Sequence, residues 1–308
     1  MRKQTMVIRI LIIIFMAALA PLEMAQAAPG KFYVVGMGTS PDLITLRGME
    51  VVKSADCVLL EEKSDRDTWK SLIDGKEIWY LGHFSRVYYG IDPETLKDPK
   101  AKAKAIQNAQ AREVIINKIK QAVEKGQTVA ALQWGDPMIY GTTFYLEMLP
   151  KDFPSEVIPG IGAFQAASAA VKMSPPYGWD TSSVILTMAD WPGRSDLNEK
   201  LMALQTSMIF YTMHLDYLKL FTQLNQYYPR DTPVAVVTYA GDREKQTVIR
   251  STVGGFLKEI KSNDLPPELH ILMVGKFLTA GQARKEGTAT FQDFIRKQHG
   301  DDPFLSPR

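Results

Sequence analysis

The sequence predicts an α/β protein built in two units, and three observations predict it. From Lys31 onward, short β-rich runs alternate with helical segments, the pattern of an α/β fold with mainly parallel strands. The run Thr128-Val129-Ala130-Ala131-Leu132 is apolar and partly β-branched, and Gly135, Pro137 and Gly141 end it abruptly. That is how a strand covered on both faces stops at the carboxyl edge where such sheets bind ligands. Ser174-Pro175-Pro176-Tyr177-Gly178 then interrupts any helix with two prolines and a glycine, marking the boundary between the units.

The elements follow in chain order. A first strand over residues 32–35 runs into Gly36-Met37-Gly38-Thr39-Ser40-Pro41-Asp42, and residues 43–52 have helical periodicity. Residues 57–60 and 77–81 read as the second and third strands. Residues 82–110 are polar, with Asp92-Pro93 and Asp98-Pro99 as breakers, and lead into an amphipathic helix over 111–125 closed by Gly126. After the strand at 128–132 come a helix near 141–149, a strand at 155–158 and, beyond Pro159-Gly160-Ile161-Gly162, a small-residue helix at 163–171. The second unit offers strands at 183–187, 207–211, 233–239, 247–251 and 270–274, with helices near 196–204, 215–226 and 253–262. Residues 281–308 form a tail without a strong pattern.

Composition limits the functional classes. The chain has 308 residues, a formal charge of +2 and no basic cluster interleaved with aromatics, so it offers no nucleic-acid groove. Cys57 is the single cysteine and sits in a strand-like apolar run, which excludes an internal disulfide and argues against a catalytic thiol. His83, His214, His270 and His299 show no metal-ligand spacing, and no metal site is expected. Residues 1–27 read as a secretory signal peptide: Arg2, Lys3 and Arg9 precede an apolar run at 10–20, and Ala25-Gln26-Ala27 supplies small residues for cleavage. The apolar run is short for a membrane span, which needs about 20 residues, so no stable span is expected after cleavage. A start at Met24 would instead give a cytoplasmic protein.

Gly36-Met37-Gly38 opens like a dinucleotide fingerprint, but position 41 is Pro where a third glycine is required. A wider combination is more specific. Phe32-Tyr33-Val34-Val35-Gly36-Met37-Gly38, Asp42-Leu43-Ile44-Thr45-Leu46-Arg47-Gly48, Gly135-Asp136-Pro137 with Tyr140-Gly141, and Val157-Ile158-Pro159-Gly160-Ile161 together resemble the tetrapyrrole methylases. The later Thr232-Pro233-Val234-Ala235-Val236-Val237, Val248-Ile249-Arg250-Ser251-Thr252 and Leu265-Pro266-Pro267 before Ile271-Leu272-Met273-Val274-Gly275 agree, so the resemblance spans about residues 31–280.

The resemblance implies two α/β domains, residues 28–174 and 175–280, with S-adenosyl-L-methionine held in the cleft between them and a reduced tetrapyrrole methylated at a ring carbon. It implies a cofactor shell of Thr39, Trp134, Gly135, Asp136, Ile139, Gly162, Ala163, Met213 and Ala240. It also implies a homodimer. For a polycarboxylate substrate, Arg86, Arg194, Arg243 and Lys245 are the loop cations, and Asp190, Asp242 or His83 could take a proton. The chain departs from the family in carrying Thr39-Ser40 where Pro-Gly is usual, a large Trp134 and Ser251 in place of a frequent glycine. Because this cofactor is made in the cytoplasm, the leader favours a competing reading, an exported non-catalytic binding module for a tetrapyrrole or nucleoside.

Overall fold

The computed structural model describes residues 30–81, 87–177, 181–191, 193–213, 215–261, 264–266 and 269–280. The expected leader, the tail, His83 and Arg86 lie outside the described residues. Strands β1 (Phe32–Gly36), β2 (Cys57–Leu60), β3 (Glu77–Tyr80), β4 (Val129–Gln133) and β5 (Ser155–Ile158) form one sheet in the order β3-β2-β4-β1-β5. All its pairs are parallel. Helices α1 (Leu46–Ser54), α2 (Asp65–Ile73), α3 (Pro99–Glu124) and α4 (Phe144–Met148) make the crossovers.

Alternation along buried strands sorts the side chains into two cores. Val129 and Ala131 join Phe32, Val34, Ile116 and Tyr145 on the α3 and α4 face, while Ala130 and Leu132 join Val35, Met37 and Trp69 on the α1 and α2 face. Cys57 is fully buried in β2, and burial pushes its thiol pKa up to about 11, so it is an inert core residue.

Helix α3 begins at Pro99, well before the expected start at 111. Asp98 and Pro99 read as breakers are instead a helix entry. The Asp98 carboxylate accepts from the amides of Lys100 and Ala101 at 3.1 and 3.3 Å, and proline fits the first helical turn, where its missing N–H is not needed. Helix α2, which the sequence reading does not anticipate, is short and mostly exposed, with Trp69 and Ile73 as its buried anchors.

The second sheet is formed by β6 (Val184–Thr187), β7 (Ser207–Tyr211), β8 (Pro233–Thr238), β9 (Thr247–Thr252) and β10 (His270–Val274), in the order β6-β7-β10-β8-β9. Its helices are α6 (Asn198–Met202), α7 (Tyr217–Tyr227) and α8 (Phe256–Glu259), and α9 (Phe277–Ala280) follows β10. Only β6 and β7 run parallel; β10 is antiparallel to both β7 and β8, and β9 to β8. The expectation of mainly parallel strands therefore holds for the first sheet alone. Residues 239–246 close a β8–β9 hairpin and are too few for the crossover that parallel neighbours need. Helix α5 (Ala163–Val171) precedes the expected boundary at 174–178 yet packs on the second sheet, with Ala166, Ala167 and Val171 against Ile209, Ala235 and Val237. Alanines on that face let helix and sheet approach closely. Among the described residues no helix is long and apolar enough to cross a membrane.

Candidate functional site

Three strand-ending turns of the first sheet meet backbone to backbone. A Cβ on Gly36 would lie 2.4 Å from the Gly160 amide nitrogen, and one on Gly160 would lie 2.2 Å from the Gly135 carbonyl oxygen. Gly38 and Gly135, both at positive φ, exchange hydrogen bonds of 3.3 and 2.9 Å across the gap. Glycine is required here for space and, at positions 38 and 135, for conformation as well.

The turn after β4 is held from below. Gln133 Nε2 donates to Tyr145 Oη at 2.8 Å, Gln133 Oε1 accepts from the Thr142 amide at 2.8 Å, and the Thr142 hydroxyl donates to Glu61 at 2.5 Å. Asp136 uses Oδ1 to accept from the Met138 amide at 2.9 Å, closing its own turn. Trp134 is 42% exposed, its indole N–H donating to Asp65 at 3.0 Å and its ring 5.0 Å from that of Trp69.

The second domain supplies the facing wall. Tyr211 and Tyr239 stand at or just past the carboxyl ends of β7 and β8, and the antiparallel course of β10 brings its first residue, His270, to the same edge. The Thr39 loop crosses to this side, where a Cβ on Gly241 would lie 2.5 Å from Thr39 Oγ1. A cavity of about 570 Å³ lies between the two walls. All nine residues of the expected cofactor shell line it: Thr39, Trp134, Gly135, Asp136, Ile139, Gly162, Ala163, Met213 and Ala240. Sequence reasoning missed Thr68, Tyr211, Tyr239 and His270, which line it too. Tyr211 and Tyr239 end β-rich runs and could have been found; His270 begins one, and only the strand direction reveals its place.

The cavity is prepared for a polar ligand. Among the described residues, Thr39 Oγ1 is buried with no hydrogen-bond partner, and the Tyr211 hydroxyl and His270 Nδ1 are buried near the Phe164 amide and Pro266 carbonyl without a well-formed bond. Buried polar atoms are rarely left so unless something else satisfies them. Burial pushes the Tyr211 pKa up to about 12, which keeps it a neutral donor.

The expected bases and cations are arranged differently from one another. Asp242 lines the cavity, but the amides of Lys245 and Glu244 both donate to its carboxylate and hold its pKa below the usual range. It is therefore a fixed negative charge and a weak base. Asp190 and Arg194, expected as base and substrate cation, are paired with each other at 3.2 Å. Arg194 is also bound to Asp196 at 2.7 Å and its side chain is only 6% exposed, while Asp190 accepts from the Asn198 amide at 3.0 Å. Neither is free for the expected role, because satisfying a buried guanidinium requires both carboxylates. Arg243 is exposed and paired with Asp42 from the other domain, and Lys245 lines the cavity.

A family model described as Tetrapyrrole (Corrin/Porphyrin) Methylases matches residues 31–256. The chain belongs to the tetrapyrrole methylase family. This methylase is 25% identical over 255 residues to a uroporphyrinogen-III C-methyltransferase of Methanocaldococcus jannaschii, covering 80% of this chain and 96% of that protein. It is 27% identical over 258 residues to a cobalt-precorrin-4 C(11)-methyltransferase of the same organism, covering 80% and 88%. In fold it is similar to the crystal structure of a cobalt precorrin-4 methyltransferase, with a TM-score of 0.61 at 22% identity over 80% of this chain and 95% of that one. It is similar also to uroporphyrin-III C-methyltransferase of Thermus thermophilus in complex with S-adenosyl homocysteine, with a TM-score of 0.57 at 17% identity over 81% and 99%.

In this methylase His270 makes a pH test of the cavity wall. Its Nε2 lies 2.5 Å from the Tyr217 hydroxyl; burial lowers its pKa below 6.5, and the nearby Pro266 carbonyl opposes that shift. A folded-state pKa below the unfolded one means that the contribution to stability is present above pH 6.5 and is lost as pH falls through the folded value. His270→Gln keeps a partner for Tyr217 and cannot be protonated. Thermal melts between about pH 7 and about pH 5 should therefore show a shallower acid loss for the variant than for the wild type. Parallel curves would show that His270 does not titrate there.

Proposed function

We propose that this chain transfers a methyl group from S-adenosyl-L-methionine to a ring carbon of a reduced, carboxylate-bearing tetrapyrrole. The observation that carries the reading is the convergence of the nine expected residues on one cavity that also holds the buried Thr39 hydroxyl, unpartnered among the described residues. The donor set fits: glycine and alanine at 135, 162, 163 and 240 admit close backbone approach, Ile139 and Met213 offer apolar contact, and the Thr39 hydroxyl awaits a polar partner. When bound, S-adenosylmethionine supplies a methyl group on a sulfonium, activated without help from an acid or base of the protein. The chain's own work is to align acceptor and donor and to exclude water. Lys245 places a cation at the cavity for an acceptor carboxylate, and Asp242 places a fixed negative charge near it.

Calorimetry of the purified protein with S-adenosylmethionine should give saturable binding, and incubation with reduced uroporphyrinogen III or precorrin-type acceptors should add methyl mass. Absence of cofactor binding would refute the reading. Export is a separate proposal, resting on Arg2, Lys3, Arg9 and the apolar run that follows, and it requires that S-adenosylmethionine reach the exported enzyme. N-terminal sequencing from the native cell should find a start just after Ala27, whereas a start at Met24 would place the enzyme in the cytoplasm. A homodimer is proposed from family resemblance, and light scattering of the purified protein measures it.

A further inference from the structure

We propose that Tyr140 and Trp191 form an aromatic ledge outside the cavity that receives a pyrrole-ring face of the methyl acceptor; this rests on the methyltransferase reading above. Tyr140 is 41% exposed and sits at φ +60, a conformation that bulky side chains rarely adopt. Backbone strain of this kind persists where the surroundings enforce it, and it clusters at ligand sites. The Tyr140 ring meets that of Tyr211, a cavity-lining residue, edge to face at 4.9 Å. Tyr140 also feels the charges of Arg194 and Asp196.

Arg194 packs over Trp191 and acts electrostatically on Tyr140. Asp190, Asp196 and Thr187 hold its guanidinium at 3.2, 2.7 and 3.0 Å, and its Cζ lies 5.1 Å from the centre of the Trp191 ring. Trp191 is itself 53% exposed. Tyr140, in the turn after β4, thus packs on the cavity wall at Tyr211 and senses the loop after β6, which carries Trp191 and Arg194. These residues come from both domains, and Met138, also exposed, lies two residues before Tyr140. Large aromatics left in water beside a ligand cavity are a surface that a planar pyrrole ring would cover. Charge alone does not explain recognition here, because Lys245 is the sole Lys or Arg among the described residues lining the cavity, and Arg194 is committed to Asp190 and Asp196.

The test uses the full protein, with uroporphyrin III, a stable oxidised analogue that keeps the pyrrole-derived rings and carboxylates of the acceptor, followed by fluorescence and S-adenosylmethionine followed by calorimetry. Tyr140→Gly and Trp191→Ala should each weaken porphyrin binding by roughly tenfold, whereas Tyr140→Phe, which keeps the ring, should stay within about twofold of the wild type. Cofactor affinity should be unchanged in all three. Glycine tolerates the backbone conformation at position 140, so Tyr140→Gly is expected to fold, and melting curves check it. Unchanged porphyrin binding in Tyr140→Gly and Trp191→Ala would overturn the ledge, as would failure of the wild type to bind uroporphyrin III. Ledge-dependent porphyrin binding in a protein that ignores S-adenosylmethionine would keep the ledge and overturn the methyltransferase reading.

Discussion

Replacing Gly160 with alanine is expected to lower stability by at least about 3 kcal/mol and to abolish cofactor binding. The added Cβ would lie 2.2 Å from the Gly135 carbonyl oxygen and within 2.9 Å of the Gly36 backbone. None of these atoms belongs to a flexible side chain. Gly36 ends β1 and Gly135 belongs to the turn that lines the cavity, so relief of the clash must move the β1 or β4 edge. Overpacking typically costs about 1–3 kcal/mol, and the rigidity of the neighbours puts this site at the upper end or beyond. In a domain of this size that corresponds to a melting point lower by roughly 6–12 °C. Gly75→Ala is the control. Gly75 has positive φ but, among the described residues, no atom within 4 Å of the added carbon, so it pays only a backbone penalty of about 1–2 kcal/mol and leaves binding intact. If Gly160→Ala melts like Gly75→Ala and still binds S-adenosylmethionine, the three turns do not pack as described.

Trp69→Ala is expected to cost about 3–5 kcal/mol, the range for deleting a buried large aromatic. Trp69 is 2% exposed and belongs to the core with Met37, Val52, Leu60 and Leu132. It also backs Trp134, whose ring it meets at 5.0 Å. The cavity wall should loosen along with the core, although the Trp134 hydrogen bond to Asp65 retains part of its position. Trp134→Ala separates the two effects. Being 42% exposed, it should cost only about 1 kcal/mol in stability while weakening cofactor binding by roughly tenfold. Melting curves and calorimetry on both variants give the comparison. Equal loss of stability in the two would show that Trp134 is a core residue rather than a wall of the site.

Much of the first domain was legible because its signals are local. Fully buried strands such as β2 and β4 read as unbroken apolar runs, and glycine and proline at 135, 137, 141 and 160 announce where they stop. The cofactor shell was legible by a different route: the order of several landmarks identified the family, and family position then supplied the residues. Asp98-Pro99 shows where local reading fails, since an Asp-Pro pair that breaks a helix in one setting starts one here. The side chain of Asp98 turned back to the amides of α3 distinguishes the two, and that is a matter of three-dimensional geometry.

The amino-acid sequence alone determined the α/β class, most strand positions, the glycine turns and the family, because hydrophobic periodicity and turn chemistry act over a few residues. Tertiary structure decided that β10 runs antiparallel, which carries His270 to the cavity, and that α5 belongs with the second sheet. It also decided that Asp190 and Arg194 neutralise each other, while Asp242 alone of the described candidate bases reaches the cavity. Strand direction and ion pairing are settled by contacts between residues distant in the chain, where burying a charge without its partner costs more than any local preference can offset.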